Sequence, residues 1–373
     1  MRCHLKRIVY GISLTCFLVG IWTYIKSYSG GTQTVNLYQN DALAASAAGL
    51  KLILVYTGLP AGMQAGQKQF NADDCPVKNC FVTADRTMAS KADAILLMGQ
   101  AVKPWHRKPW HQIWILYLLE SPHHTPRLEG LNNLINWTVS YRTDSTLMAP
   151  YGSYVPYGNM TTGQDSVFNT PMKKNYAAGK TKKIAWFVSN CGGDRNGRRR
   201  YVDELNKHMP VDIYGGCGIK TCSKEDPRCL DILDRDYKFY LSFENSNCRD
   251  YITEKFFLNG LGHDIIPITM GGRPDDYKRA APPHSYINVD DFKSPKVLAE
   301  YLHKLDKNDD LYNEYFRWKS SFHSVNTFFW CRLCRKMHEV GKRKPTWYKN
   351  LDQWWRGDGV CSPGRWEDGH SYV

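Results

Sequence analysis

The sequence predicts an α/β protein of two Rossmann-like domains behind a single N-terminal membrane helix, on three observations. Residues 8–25 form an uncharged run of 18 residues, preceded by Arg2, Lys6 and Arg7 and closed by Lys26. That length just spans a bilayer, and the clustered charge before it marks a cytoplasmic N-terminus with the bulk of the chain on the far side. From Leu50 onward, continuous apolar runs of strand length alternate with helical patterns, as in buried parallel strands covered by helices on both faces. The alternation lapses over 167–181 and then restarts, so two α/β halves are expected to face each other across a cleft.

Residues 1–7 form the predicted cytoplasmic tail and 8–25 an uncleaved signal anchor. Trp22 and Tyr24 suit interfacial anchoring, and no A-x-A site follows closely, which disfavours the rival reading of a cleaved signal peptide. Residues 26–48, small and polar in their later part, read as a stem. The N-terminal domain, 49–166, takes strands from Leu50–Tyr56, Ala92–Met98 and Trp114–Leu119, with another expected over Thr138–Tyr141. A linker over 167–181 holds Asn, Thr, Pro, Gly and Lys without an apolar period. In the C-terminal domain, 182–341, strands are expected over Ile184–Val188, Val211–Tyr214, Tyr237–Phe243, Ile265–Thr269 and Tyr286–Val289. Helices are expected around Arg198–His208, Thr253–Leu261, Pro295–Leu305 and Leu311–Phe322. The tail, 342–373, carries Trp347, Trp354, Trp355 and Trp366, expected to pack on a domain surface rather than to stack on sugars. No internal repeat or low-complexity tract is visible.

Composition fits a folded two-domain chain of 373 residues, 42% hydrophobic and 23% charged. Ten of the twelve cysteines follow the membrane run: Cys75, Cys80, Cys191, Cys217, Cys222, Cys229, Cys248, Cys331, Cys334 and Cys361. An even number there fits an oxidising compartment and leaves the pairing open. Sequons at Asn136-Trp137-Thr138 and Asn159-Met160-Thr161 make Asn136 and Asn159 candidate glycosylation sites. A net charge of +13 invites a nucleic-acid reading, but the basic residues spell no such module and the compartment is wrong for it. A basic surface there fits an anionic ligand such as a nucleotide sugar, or membrane proximity.

Chemistry concentrates in YKFYLSFENSNCRDYITEK, residues 237–255. An apolar strand runs into Glu244, Asn245 and Ser246, and a helix then opens with Thr253, Glu254 and Lys255, an edge suited to a phosphate-bearing ligand or simply to an ordinary capped helix. Glu120 stands at another strand end, before Ser121-Pro122, and is a candidate general base. His123 and His124 rival it, their ordinary pKa suiting the role better, although a glutamate in a partly apolar cleft can be raised toward neutrality. Asp234-Arg235-Asp236 spells the Asp-x-Asp of manganese sites but precedes a strand, and receives no metal role. Cys331 and Cys334 could be half of a zinc site, yet no second CxxC exists. No metal site is assigned.

Seven blocks then resemble the α1,3/4-fucosyltransferase family in order. They are CFVTADR at 80–86, LLESPHHTP at 118–126, NWTVSYRTDS at 136–145, KIAWFVSN at 183–190, FENSNCRDYITEK at 243–255, YINVDDFKSPKVLAEYL at 286–302 and YFRWK at 315–319. The resemblance implies a GT-B fold and a type II Golgi membrane enzyme with a lumenal catalytic part. It implies transfer of L-fucose from GDP-β-L-fucose to the 3-hydroxyl of a GlcNAc with inversion, Glu120 being the base of the family's ESP motif. By the same resemblance Arg198 and Lys255 stabilise the GDP leaving group, Asn245 and Tyr251 lie at its guanosine and phosphate end, and Glu254 bonds the ribose or the fucose. Arg195, Arg199 and Arg200 leave the register of Arg198 open. No cofactor is required, which leaves room for a divalent cation as a stimulant only. The late pair Cys331 and Cys334 would be disulfide-linked to Cys75 and Cys80. Asp290 and Asp291 read as structural, capping the helix that begins near Ser294. The chain departs from vertebrate members in Cys217, Cys222, Cys229 and the Trp-rich tail, which leaves the acceptor open among LacNAc, LacdiNAc and N-glycan core GlcNAc. Two other readings are a non-catalytic, membrane-anchored glycan-binding protein and a manganese-dependent GT-A transferase of another sugar.

Overall fold

A computed structural model describes residues 40–158, 174–193, 195–222, 226–341 and 346–363. The predicted cytoplasmic tail, the membrane run, most of the stem, the sequon at Asn159 and Trp366 lie outside them. Among the described residues no helix is long and apolar enough to cross a membrane. The chain forms two compact units: one of residues up to 116 with 134–136 and 330–346, the other of 117–133, 137–329 and 347 onward.

In the first unit, β1 (Lys51–Val55), β2 (Cys80–Thr83), β3 (Ala94–Met98) and the start of β4 (Ile113–Leu118) lie in the order β2-β1-β3-β4. Strand β1 pairs in parallel with β2 through Leu52↔Phe81 and with β3 through Leu54↔Ile95. Both β1 and β3 are almost wholly buried, which is why they read as continuous apolar runs. Asp93 ties the amino ends of the sheet together. Its carboxylate accepts from Lys51 Nζ (2.9 Å) and the Leu52 N–H (2.8 Å), and its carbonyl accepts from the Ile113 N–H (2.9 Å).

Disulfides Cys75–Cys331 and Cys80–Cys334 fasten the helix Phe329–Met337 to this unit, the partners that the family resemblance implied. The two bridges are not independent. With one closed, the other closes a loop of only about ten residues, worth roughly 2–3 kcal/mol; losing both reopens a loop of 256 residues and adds roughly 5 kcal/mol more. Replacing either pair by serine should therefore shift the urea midpoint modestly, and replacing both should shift it by more than the two single shifts added together.

The second unit carries a short parallel pair, β5 (Trp137–Ser140) with β6 (Leu147–Met148), and then β7 (Tyr154–Pro156). Its main sheet uses β8 (Lys182–Phe187), β9 (Val211–Tyr214), β10 (Tyr237–Phe243), β12 (Ile266–Met270) and β13 (Ile287–Asn288), with β11 (Asn247–Cys248) standing apart. All five strands are parallel, in the order β13-β12-β10-β8-β9. Every residue of the central strand β10 is buried. Helices Arg198–Leu205 and Pro295–Asp306 lay Tyr201, Val202, Leu205, Leu298 and Leu302 against Ile184, Trp186, Phe239 and Leu241, while Ala185 and Tyr240 face a second cluster on the opposite side. Chain order reverses between β8 and β10, and in open α/β sheets ligands bind outside the carboxyl ends of the strands at such a switch point.

Several expectations are corrected here. Leu311–Phe322 is not one helix: Asp309–Asn313 is helical, Glu314–Ser320 tightens into 3-10 turns, and β14 (Phe322–Ser324) pairs with β7. Tyr312, Tyr315 and Phe316 serve one core while Trp318 serves another, and no single α-helical stripe reaches both. The helix after Thr253 is α over Glu254–Phe256 and widens to a π turn over Phe257–Leu261. In the described part of the predicted linker, residues 174–181, Tyr176 stacks on Phe316 at 4.2 Å and Lys180 Nζ donates to the Leu233 carbonyl at 3.1 Å, so these residues pack into the second unit. The tail packs as expected through Trp355, which is fully buried and donates to Thr125 Oγ1 at 2.7 Å, although Trp347 stays exposed. Cys248–Cys361 and the pairing of β11 with β15 (Cys361–Ser362) fasten the tail to the 237–255 stretch.

Candidate active site

At the switch point of the second unit opens a cavity of about 720 Å³. The loop after β8 supplies Asn190, the residues after β10 supply Asn245, helix Arg198–Leu205 supplies its first residue, and the next helix start supplies Glu254 and Lys255. Glu120, which follows β4, completes the lining. Of the six predicted site residues only Tyr251 is not on the wall; it is buried beneath Glu120.

Three donors converge on one oxygen of Glu120. The Ser121 N–H (2.7 Å), the Tyr251 hydroxyl (2.8 Å) and the Asn245 amide (3.1 Å) all reach Oε1. Partial burial pushes this carboxyl up, but the three hydrogen bonds and nearby His124 outweigh it and hold the group below the usual glutamate range. The expectation of a carboxyl raised toward neutrality is thus overturned, because the donors stabilise the charged form more than burial penalises it. Burial, with Glu244 and Glu120 close by, drives the Tyr251 phenol far above its ordinary value, so it stays a donor. With Glu120 as the base that the family resemblance implies, which must be deprotonated to act, the acid limb of kcat/KM should lie below the ordinary glutamate range. Tyr251→Phe removes one stabilising bond and should move that limb upward in pH while leaving any alkaline limb in place.

His124 is not available as the rival base. Its Nε2 donates to the Gly193 carbonyl (2.8 Å), and its Nδ1 then accepts from Ser121 Oγ (3.0 Å). His123 is exposed and does not line the cavity.

Lys255 is held by a residue that sequence reasoning missed. Its ammonium donates to Glu244 Oε2 (3.0 Å), Thr253 Oγ1 (2.9 Å) and Glu254 Oε1 (3.1 Å). Burial pushes Lys255 down, but the Glu244 and Glu254 carboxylates outweigh it and keep the lysine charged well above its ordinary range. Glu244 is fully buried, and its other oxygen accepts from the Thr253 N–H at 2.8 Å. A Cβ on Gly271, where φ is +145°, would sit 2.5 Å from the Glu244 side chain, so glycine is needed there. Arg198 is the member of its arginine cluster that lines the cavity. It is buried, and its guanidinium donates to the carbonyls of Phe243 (3.0 Å) and Asn190 (3.2 Å). Gly197, at φ +66°, lets the chain turn directly into this helix.

A second feature missed from sequence is an aromatic wall, Phe187 stacked on Tyr214 at 4.9 Å and 20°. Cys222 and Cys229, bonded to each other, line the same cavity, and Cys191–Cys217 lies in the loops after β8 and β9. These extra cysteines therefore border the pocket of the predicted donor residues.

Other sequence candidates go elsewhere. Asp234 accepts from His263 Nδ1 (2.8 Å), and Asp236 pairs with Lys182 (3.0 Å). Ser294 caps its own helix through the Val297 N–H (3.3 Å), so Asp290 and Asp291, which form a 3-10 turn, are not the caps. Among the described residues three clusters have metal-ligand proximity, and the two cysteines of each are bonded to one another. Asn136 is buried. Its Oδ1 accepts from Lys108 Nζ and the Trp114 N–H (2.9 Å), and its Nδ2 donates to the Thr346 carbonyl (3.0 Å). A glycan on that nitrogen is incompatible with this packing, so the Asn136 sequon is corrected to a structural amide.

Two sequence models of one family match the chain: "Fucosyltransferase, N-terminal" over residues 48–152 and "Glycosyltransferase family 10 (fucosyltransferase) C-term" over residues 177–354. Glycoprotein 3-alpha-L-fucosyltransferase A of Drosophila melanogaster is 49% identical over 328 residues, 87% of this chain, which spans 64% of that relative's length. An alpha-(1,3)-fucosyltransferase of Caenorhabditis elegans is 37% identical over 305 residues, covering 78% of this chain and 68% of the relative. The human 4-galactosyl-N-acetylglucosaminide 3-alpha-L-fucosyltransferase is 38% identical over 277 residues, 71% of this chain and 72% of its own. A crystal structure of an alpha1,3-fucosyltransferase shares the fold at 16% identity, with a TM-score of 0.51 over 81% of this chain and 92% of its own. By both halves of the sequence, the chain belongs to glycosyltransferase family 10, the fucosyltransferases.

Proposed function

We propose that this protein is an inverting α1,3-fucosyltransferase that moves L-fucose from GDP-β-L-fucose to the 3-hydroxyl of a GlcNAc in a glycoprotein or glycolipid glycan. One observation carries the reading: Glu120, Arg198, Asn245, Glu254 and Lys255, scattered along the chain, line one cavity at the switch point of a parallel sheet. Its volume of about 720 Å³ is that of a small-molecule site. Glu120 takes the proton from the acceptor hydroxyl through Oε2, since Oε1 already accepts three bonds. The freed oxygen attacks the anomeric carbon, the bond from that carbon to the β-phosphate oxygen breaks, and its electron pair leaves on GDP. Lys255 and Arg198 stabilise the charge that grows there, fixed in place before reaction by Glu244 and by backbone carbonyls. The Phe187–Tyr214 wall offers a flat surface to the base of the nucleotide.

Within this reading the protein is a type II Golgi membrane enzyme of GT-B architecture, with an acceptor-side domain over 49–166 and a donor domain over 182–341. The charge-flanked run at 8–25 supports the anchor, and five disulfides support an oxidising lumen. The test is incubation of the purified protein with GDP-fucose and an array of GlcNAc-containing glycans, followed by mass spectrometry and linkage analysis of the products. Fucose on O3 of GlcNAc is the expected product. Absence of transfer together with absence of GDP binding by calorimetry overturns the proposal in favour of a non-catalytic glycan-binding protein.

A further inference from the structure

Between β3 and β4 the chain makes one excursion, residues 99–112, that holds two tryptophans and a valine out in solvent. It contains a short repeat that the sequence reading passed over, Lys-Pro-Trp-His at 103–106 and again at 108–111. One histidine and one lysine of the repeat turn toward the unit, while Lys103, Arg107 and His111 are exposed. His106 is 8% exposed and bonds Gln112 Oε1 at 2.8 Å, while Lys108 Nζ reaches into the unit to donate to the Leu134 carbonyl at 2.5 Å and to Asn136 Oδ1. The tryptophans are held outside: Trp105 is 72% and Trp110 94% exposed, with Val102 at 44%. Presenting two indoles and Val102 to water while His106 is buried and Lys108 half-buried costs free energy, which points to a surface that water does not cover.

We propose that this loop seats on the membrane surface, a second contact of the protein with its bilayer beyond the N-terminal anchor. The inference rests on the anchor reading given above. Indoles prefer the headgroup level, and exposed Lys103 and Arg107 offer cations to lipid phosphates in a stretch with no acidic residue. The tether brings the two together. Residues 26–39 are about 14 residues and reach roughly 50 Å at full extension. The chain enters β1 at Lys51 and Leu52, and Asp93 bonds both of these and Ile113, three residues after Trp110. The strand that follows the tether and the helix of residues 40–47, and the Trp110 end of the loop, thus meet at the amino ends of the first unit's sheet. A sugar platform fits less well, because the stretch lacks the carboxylates that bond sugar hydroxyls and Val102 offers a hydroxyl nothing.

The test uses the full chain in phosphatidylcholine nanodiscs with brominated or plain acyl chains, comparing the wild type with the Trp105→Ser, Trp110→Ser double variant. Three bilayer-facing tryptophans (Trp22, Trp105 and Trp110) against one should give roughly threefold more bromine-quenched fluorescence in the wild type. Equal quenching in the two proteins overturns the loop contact and leaves the anchor standing. No quenching in either overturns the anchor and the loop contact together. Equal quenching with a lipid-independent emission shift on adding a GlcNAc-terminated oligosaccharide, lost in the double variant, assigns the loop to glycan binding instead. Fucosyl transfer to a soluble acceptor reports on the proposed function separately, since neither tryptophan lines the cavity.

Discussion

Glu120→Gln should lower the turnover of fucosyl transfer by about 10²–10⁴ while leaving GDP affinity within about twofold. The substitution isolates the proton acceptor. A glutamine carbonyl placed at Oε1 still accepts from Ser121, Tyr251 and Asn245, so the local fold has no reason to move. What is lost is the second carboxylate oxygen and the negative charge that draws the proton. Because the hydrogen bonds hold this carboxyl below the ordinary range, the wild-type base is ionised throughout the neutral region. The deficit in the variant should therefore be flat across that region rather than rescued by raising the pH. Single-turnover transfer to a labelled acceptor, with calorimetric titration of GDP, reads both halves. A variant with full turnover removes Glu120 from the role of base, and one that also loses GDP shows that the side chain organises the donor cavity.

How much of this was legible in the sequence depends on what each residue packs against. The strands of both units were readable because parallel strands buried on both faces are mostly apolar, as β3 is along its whole length. Strand β2 was not read as a strand, although at four residues it is as long as β9, which was. The disulfides show the same limit: spacing says that Cys191, Cys217, Cys222, Cys229, Cys248 and Cys361 can pair, but not with which partner. Tyr251 matched the donor end by resemblance, yet its hydroxyl serves a glutamate 131 positions earlier, a proximity that only the fold creates. Glu244 was read among the polar residues that close the strand, but not as the partner of Lys255. The available clue was a lysine eleven positions on, beside a threonine able to cap the helix, which together give a buried carboxylate its partners.

That pair leads to the second large effect, which is on stability as much as on rate. Lys255→Met leaves Glu244 buried with only the Thr253 N–H and hydroxyl to compensate its charge, at 2.8 and 3.0 Å. Breaking a buried pair in this way typically costs about 3–5 kcal/mol, a large share of the roughly 5–15 kcal/mol that holds a domain folded. Its pH dependence identifies the cause. Burial already pushes Glu244 above its unfolded value, and losing the ammonium pushes it further. A carboxyl whose folded pKa is raised makes the folded state bind more protons, so the variant's stability deficit relative to the wild type should be smallest in acid and grow as pH rises through that pKa. Adding Glu244→Gln removes the orphaned charge and should restore the urea midpoint at pH 8 without restoring fucosyl transfer, because the cavity still lacks the ammonium proposed to face the leaving phosphate. Wild-type stability of Lys255→Met at pH 8 would show that Glu244 does not depend on this lysine. Recovery of transfer in the double variant would reduce Lys255 to a structural counter-ion and leave Arg198 as the cation that meets the departing GDP.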